Sequence, residues 1–204
     1  MNPNLYRETE THVYFLSGPL SQWTSCSFLG RLEENRKVYT FNSAEQYMMA
    51  GKAHLFNDEE TLNSIISSKD PAEQKNLGRQ VKNYNEKIWN DNSIRIVTNG
   101  NIYKFSQNAD LKKYILSTVT KILVEGNKRD RIWGVGLYWN DIKIEDKKNW
   151  LGLNQLGICL EITRDLLRQQ EKMPNSEINP WTRKIILKEI RNEEKIHKGD
   201  KIIK

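Results

Sequence analysis

The stretch Tyr39–Leu55, YTFNSAEQYMMAGKAHL, decides how the chain is read, because it joins a helix start to two opposite charges at the border of an apolar face. Ser43 followed by Gln46 has capping-box spacing, which makes Ser43 the N-cap. At 100° per residue, Ala44, Tyr47, Met48, Gly51 and Leu55 lie within about 60° of one direction and form a core stripe. Glu45 and Lys52 fall together at its edge, where a helix can line a pocket. Glu45 also lies in the first turn, where free N–H groups and the macrodipole favour its ionised form. An acid held ionised suits a base or a stabiliser of positive charge. The stretch alone also permits a plainer reading, with Glu45 serving the helix end and Lys52 solvated.

The surrounding chain has 204 residues, enough for one domain with a sizeable core and an appendage. Six Trp and eight Tyr mark a folded protein, while a mean hydropathy of −0.74 marks a very polar surface. No run of about 18 apolar residues occurs, so no membrane partner is expected. The opening MNPNLYRETE lacks a basic segment followed by an apolar one, so no export signal is expected and the cytoplasm is the expected location. Two cysteines, Cys26 and Cys159, make no disulfide framework. Of the net charge of +6, half sits in residues 171–204, which hold nine Lys/Arg and six Asp/Glu. The body is therefore nearly neutral for its size, a weak footprint for nucleic acid.

Taken in order, His12–Gly18 reads as a first strand ended by Gly18-Pro19. Pro19–Trp23 places an amide and an indole beside a turn, a pairing that suits stacking on a ring while hydrogen-bonding its edge. After Thr24–Gly30 and a turn around Glu33–Arg36, Lys37–Phe41 is a second strand leading into the capped helix. Asp58–Lys82 is helical, with a new start at Ser68-Lys69-Asp70-Pro71. Gly78 inside it implies close backbone approach or a helix end. Tyr84–Val97 is a helix carrying Trp89, ended by Gly100. Asn101–Leu116 has a break at Ser106–Ala109. Lys121–Glu125 is a buried strand, and Arg131–Leu137 a strand or strand end whose glycines admit something close to the backbone. Tyr138–Asn149 reads as a surface insertion, and a helix covers Ile158–Leu167. Pro174, Asn175, Ser176 and Pro180 mark a linker, followed by a basic helix at Trp181–Glu194. The expected division is residues 1–170 as the domain and 171–204 as a basic linker and helical tail.

Six segments, PLSQWTSCSF, YTFNSAEQYMMAGKAHLFND, GRQVKNYNEKIW, KFSQNADLKKYILSTVTKILVE, DRIWGVGL and WLGLNQLG, resemble in order and spacing the signature segments of the NADAR family, also called YbiA-like or DUF1768. The resemblance spans roughly residues 14–167. It implies an α+β, predominantly helical single domain with a few short strands. It also implies an N-glycosidase: one group in the family hydrolyses phosphorylated ribosylamine intermediates of riboflavin synthesis, and another removes ADP-ribose from guanine in DNA. By matching motifs it nominates Glu45, Trp89 and Asp130 as catalytic, with Lys52 beside them. Ser21, Gln22, Trp23, Arg79, Glu125, Trp133, Gly134 and Asn154 follow as substrate-binding positions. Gln22-Trp23 stands where many relatives carry Asn-Phe, so base recognition can differ.

Breaking a ribose N-glycosidic bond builds positive charge at C1′, and carboxylates flanking the sugar answer it. Glu45 is expected to stabilise that charge or act as base, Asp130 to hold ribose hydroxyls or water, and Trp89 to stack or exclude solvent. Lys52 can neutralise a phosphate or, with a lowered pKa, trap an opened ribose as a Schiff base. Arg79 suits bidentate phosphate contact. His12, His54 and His197 are dispersed and no Walker loop or dinucleotide fingerprint occurs, so neither metal nor cofactor is expected. The expected partners are an ADP-ribosylated nucleobase, free or in DNA, or a phosphoribosyl small molecule. Two other classes compete: a module that binds ADP-ribose without cleaving it, and a nucleic-acid binder working through its tail.

Overall fold

The computed structural model describes residues 5–33 and 37–172. The expected linker and basic helix at the C-terminus lie outside the described residues. The fold is α+β, as expected. Strands β1 (Tyr6–Glu8), β2 (His12–Phe15) and β5 (Ile122–Glu125) form one sheet, β1 antiparallel and β5 parallel to β2. Strands β3 (Phe28–Arg31) and β4 (Val38–Phe41) form a separate antiparallel pair. Helices α1 (Ala44–Leu55), α2 (Glu59–Ser67), α3 (Pro71–Arg79), α4 (Glu86–Gln107) and α5 (Ala109–Ser117) lie between β4 and β5, and α6 (Gln155–Lys172) follows the loops after β5. None of these helices is long and apolar enough to cross a membrane.

The capped helix is the hub. Ser43 Oγ accepts from the Gln46 amide at 3.0 Å, while the Gln46 side chain reaches back to Asn42 N at 2.8 Å, one residue earlier than a standard capping box. Helix α1 packs against α2, α3 and α4 at once, so its burial extends well past the expected stripe and takes in Glu45, Gln46, Met49, Ala50 and Ala53. A helix buried nearly all round has no single apolar face for periodicity to find. Leu55, assigned to the stripe, is only half-buried.

Close approach explains two of the glycines. A Cβ on Gly78 would lie 2.1 Å from Met49 Sδ, so α3 crosses α1 with no room for a side chain, and α3 also ends one residue later. Gly100 does not end a helix: α4 runs through it for 22 residues, and the missing side chain makes room for the Tyr47 ring.

The sheet is buried on both faces. Val13, Phe15 and Leu123 point into the main core, and the alternate residues Tyr14 and Val124 pack with Val135 and Ile144 in a second cluster. That second cluster anchors one expected feature and revises another. Tyr138–Asn149 lies largely at the surface, as expected, and is pinned by Ile144, which is fully buried and whose carbonyl accepts from Trp150 Nε1 at 2.8 Å. Arg131–Leu137 is not a strand but an irregular turn, with Val135 N bonded to Glu125 O and Leu151 N bonded to Val135 O. The short strand β1, charged and three residues long, gave no alternating pattern to read. Helix α6 extends to Lys172, past the expected boundary at 170.

Gly157 sits where α6 meets β5, and a Cβ there would fall 1.9 Å from Leu123 O, a backbone atom that cannot step aside. Gly157→Ala is therefore expected to cost about 2–3 kcal/mol in a urea melt; an unchanged midpoint would contradict this packing.

Candidate active site

A cavity of about 1440 Å³ opens between α1, α3, the 16–25 loop and the 125–133 turn. Ten of the twelve residues singled out from sequence line it: Ser21, Gln22, Trp23, Glu45, Lys52, Arg79, Trp89, Glu125, Asp130 and Trp133. Gly134 and Asn154 do not line it. Asn154, in the left-handed region at φ 54°, accepts from Glu125 N at 3.0 Å and donates to Leu123 O at 2.8 Å. It fixes the end of β5 instead of reaching a ligand. Gly134 has no room for a Cβ, which would lie 2.9 Å from Glu125 O.

The 16–25 loop is tied to both α1 and α4. The Glu45 amide, one of the four that a helix start leaves open, donates to Gln22 O at 3.0 Å. Asn101 Nδ2 donates to Gln22 Oε1 at 3.1 Å, and the fully buried Lys104 donates to Ser21 O at 2.8 Å. The Gln22 amide oxygen is thus taken by α4, while its Nε2 reaches Met48 Sδ at 4.0 Å. Trp23 is 47% exposed at the rim, with Lys75 Nζ 6.0 Å from its ring. Sequence reasoning passed over Lys104 and Asn101 because a helix-interior amide and amine carry no signal until the facing loop is known.

Three acids share the cavity. Glu45 is 5% exposed, and burial pushes its carboxyl up to about 7 against the pull of Lys75, while Asp130 adds a further push and the Trp23 side-chain hydrogen bond restrains it. The expected ionised acid is therefore corrected: the helix N-terminus is outweighed by desolvation, and Glu45 exchanges its proton near neutrality. Glu125, at the end of β5, is pushed up to about 8 by burial first, then by Asp130 and Glu45, with Lys75 opposing. Its Oε2 is sealed from solvent with no hydrogen-bond partner. Asp130 Oδ1 accepts from Ile132 N at 3.0 Å and Trp133 N at 2.8 Å, an Asx turn that presents the carboxylate at the cavity edge.

Cations line the cavity as well. Lys75 and Arg79, one turn apart on α3, line the same cavity. Lys75 was not singled out from sequence, although its i, i+4 spacing to Arg79 was the available signal. Lys52 Nζ donates to Gly78 O at 2.8 Å and lies 4.3 Å from the Tyr84 ring and 5.7 Å from the Trp89 ring. Burial lowers its pKa. Trp89 is both core and wall, 8% exposed in the main core while lining the cavity. Among the described residues no three His, Cys, Asp or Glu side chains are grouped to hold a metal ion.

Comparisons with known proteins place the chain in a family. The NADAR domain profile matches residues 6–168, and the chain belongs to that family. It is 38% identical over 166 residues to the N-glycosidase R617 of Acanthamoeba polyphaga mimivirus, covering 78% of this chain and 97% of that one. It is 36% identical over 154 residues to the protein irg-1 of Caenorhabditis elegans, covering 74% and 73%. The NMR structure of the E. coli protein YbiA superposes with a TM-score of 0.62 over 85% of this chain and 94% of that one, at 23% identity, which establishes a shared fold.

Lys75 lowers the pKa of both glutamates, so Lys75→Met is expected to raise them. With side-chain carboxyl carbons labelled, the Glu45 titration midpoint should move above about 7. A midpoint that stays put would mean that the ammonium does not face the acids.

Proposed function

We propose that the protein is an N-glycosidase that hydrolyses a ribose N-glycosidic bond, with ADP-ribose carried on a nucleobase, guanine in DNA being the leading case, as its substrate. The observation that supports this reading best is one large cavity that brings three acids together with Lys75 and Arg79. Glu45 and Asp130 suit a sugar developing positive charge. Lys75 and Arg79 suit the phosphates of the same ligand. A cavity of about 1440 Å³ exceeds the few hundred to about 1,000 Å³ of an ordinary small-molecule pocket, which favours a dinucleotide-sized ligand with its base over a single phosphoribosyl group. The N-glycosidase name of the mimivirus relative agrees with this chemistry.

In this reading the C1′–N bond breaks with its electron pair leaving on the base nitrogen, and water adds to C1′. Glu45 takes the proton of that water; a pKa of about 7 is near the optimum for a general base at neutral pH. Asp130, with Oδ1 committed to backbone amides, offers its other oxygen to a ribose hydroxyl. Trp89 and Trp133 supply flat walls for the base or the sugar, and Lys52 a partly desolvated amine for a substrate oxygen.

Glu45→Gln keeps the size of the side chain and removes its basicity. Offered an ADP-ribosylated guanine oligonucleotide and a phosphoribosylamino-pyrimidine, the native protein is expected to release ADP-ribose from the first. Glu45→Gln should lose about 10²–10⁴ of that rate while still binding ADP-ribose. Turnover of only the pyrimidine would move the substrate to the riboflavin group, and undiminished turnover by Glu45→Gln would remove Glu45 from the chemistry.

A further inference from the structure

The proposed hydrolysis leaves one proton unaccounted for. An exocyclic amine or ring nitrogen departs poorly as an anion, so it must be protonated as the C1′–N bond breaks. Glu45 accepts a proton from water and cannot supply one in the same step.

We infer that Glu125 is the acid that protonates the leaving nitrogen. The inference rests on the N-glycosidase reading and on three features of the site. Glu125 lines the same cavity as Glu45 and Asp130. Its Oε2 is sealed from solvent without a protein partner, which penalises the charged form, while the residue stays half-buried where it lines the cavity and can meet a substrate. Its backbone is fixed: Glu125 N donates to Asn154 Oδ1 at 3.0 Å, Glu125 O accepts from Val135 N at 3.0 Å, and the strand register sets it beside Phe15. A side chain on a pinned strand end holds its position better than one on a free loop.

The surrounding charges keep the proton in place. From α1 comes Glu45, from the 125–133 turn Asp130, and from α3 Lys75; the first two favour the neutral acid and the third opposes it. Its neighbours Phe15 and Asn154 carry no charge. Burial remains the largest influence, and Glu125 is held neutral up to about pH 8. Two carboxyls in one cavity with different proton affinities divide the work as base and acid.

The step balances. The C1′–N electron pair goes to nitrogen, which takes the Glu125 proton; water forms the new C1′–O bond and gives its proton to Glu45. The pair is left with its proton moved from Glu125 to Glu45, and exchange with solvent restores it.

The test uses the full chain, Glu125→Gln, and two substrates with the same ADP-ribose: one carrying guanine through nitrogen, the other 4-nitrophenolate, which leaves as a stable anion. Glu125→Gln should lose about 10²–10⁴ on the guanine substrate and less than about tenfold on the nitrophenyl one. The decline in kcat/KM above about pH 8 should disappear in the variant. Equal losses on both substrates would overturn the inference while leaving the N-glycosidase reading intact. A native protein inert on both would overturn both.

A second readout needs no substrate. The carboxyl rises from an ordinary 4.5 to about 8 on folding, so it is neutral in both states below 4.5, and its burden on the fold accumulates as pH climbs from 4.5 to about 8 and is complete above that. Glu125→Gln should therefore melt above the native protein at pH 9, with the gap closing at pH 4. A gap that is absent at pH 9 means that Glu125 is not held protonated, and the inference falls.

Discussion

The structure depends on the removal of Glu45 from water. A carboxylate in an apolar setting is costly, and burial raises the Glu45 carboxyl to about 7, with Lys75 opposing that rise. Everything around it follows. Helix α1 has to be enclosed by α2, α3 and α4; Gly78 has to lack a side chain so that α3 can approach; the first-turn amide of Glu45 has to find Gln22 O because solvent is gone. The same enclosure brings β5 near enough for Glu45 to raise the pKa of Glu125. An acid cluster built in this way holds itself near neutrality by mutual repulsion and desolvation, which is the condition that proton transfer at physiological pH requires.

The wall facing α1 is held by a polar stripe on α4. Asn101, Lys104 and Asn108, three and four residues apart, all bond to the segment that runs from the cavity rim into β3: to Gln22 Oε1, to Ser21 O and to Ser27 O respectively. Gln107 adds two bonds to the Leu29 backbone. A buried Lys is a poor choice for stability, and burial lowers its pKa to about 8. What it secures is the path of a loop with no regular structure, and hence the position of Trp23 against Glu45. The polar residues inside α4 are the reason its sequence shows no amphipathic pattern, and a 22-residue helix was consequently read as two pieces ended at Gly100.

Legibility in the sequence followed the range of the interaction. Local features were readable: the Ser43 cap, the Asp70-Pro71 start of α3, the break near Asn108 and the apolar run of β5 all depend on neighbours within four residues. The cavity lining was readable through the ordered motifs, which located Glu45, Trp89 and Asp130 without showing why they meet. The proton affinity of Glu45 was not readable. A first-turn acid looks stabilised by its helix, and only the third dimension shows that the helix end is covered. Asn154 was nominated for ligand contact by its motif, yet both ends of its amide are consumed by β5; Lys75 was missed because one lysine among many has no distinguishing context until α3 lies across the acids.

The most direct measurement of the central claim is a crystal structure of the full chain with ADP-ribose bound. The account predicts the terminal ribose between the Glu45, Glu125 and Asp130 carboxyls and the pyrophosphate against Lys75 and Arg79. A ribose bound away from Glu45, or a phosphate seated among the three acids, would contradict it.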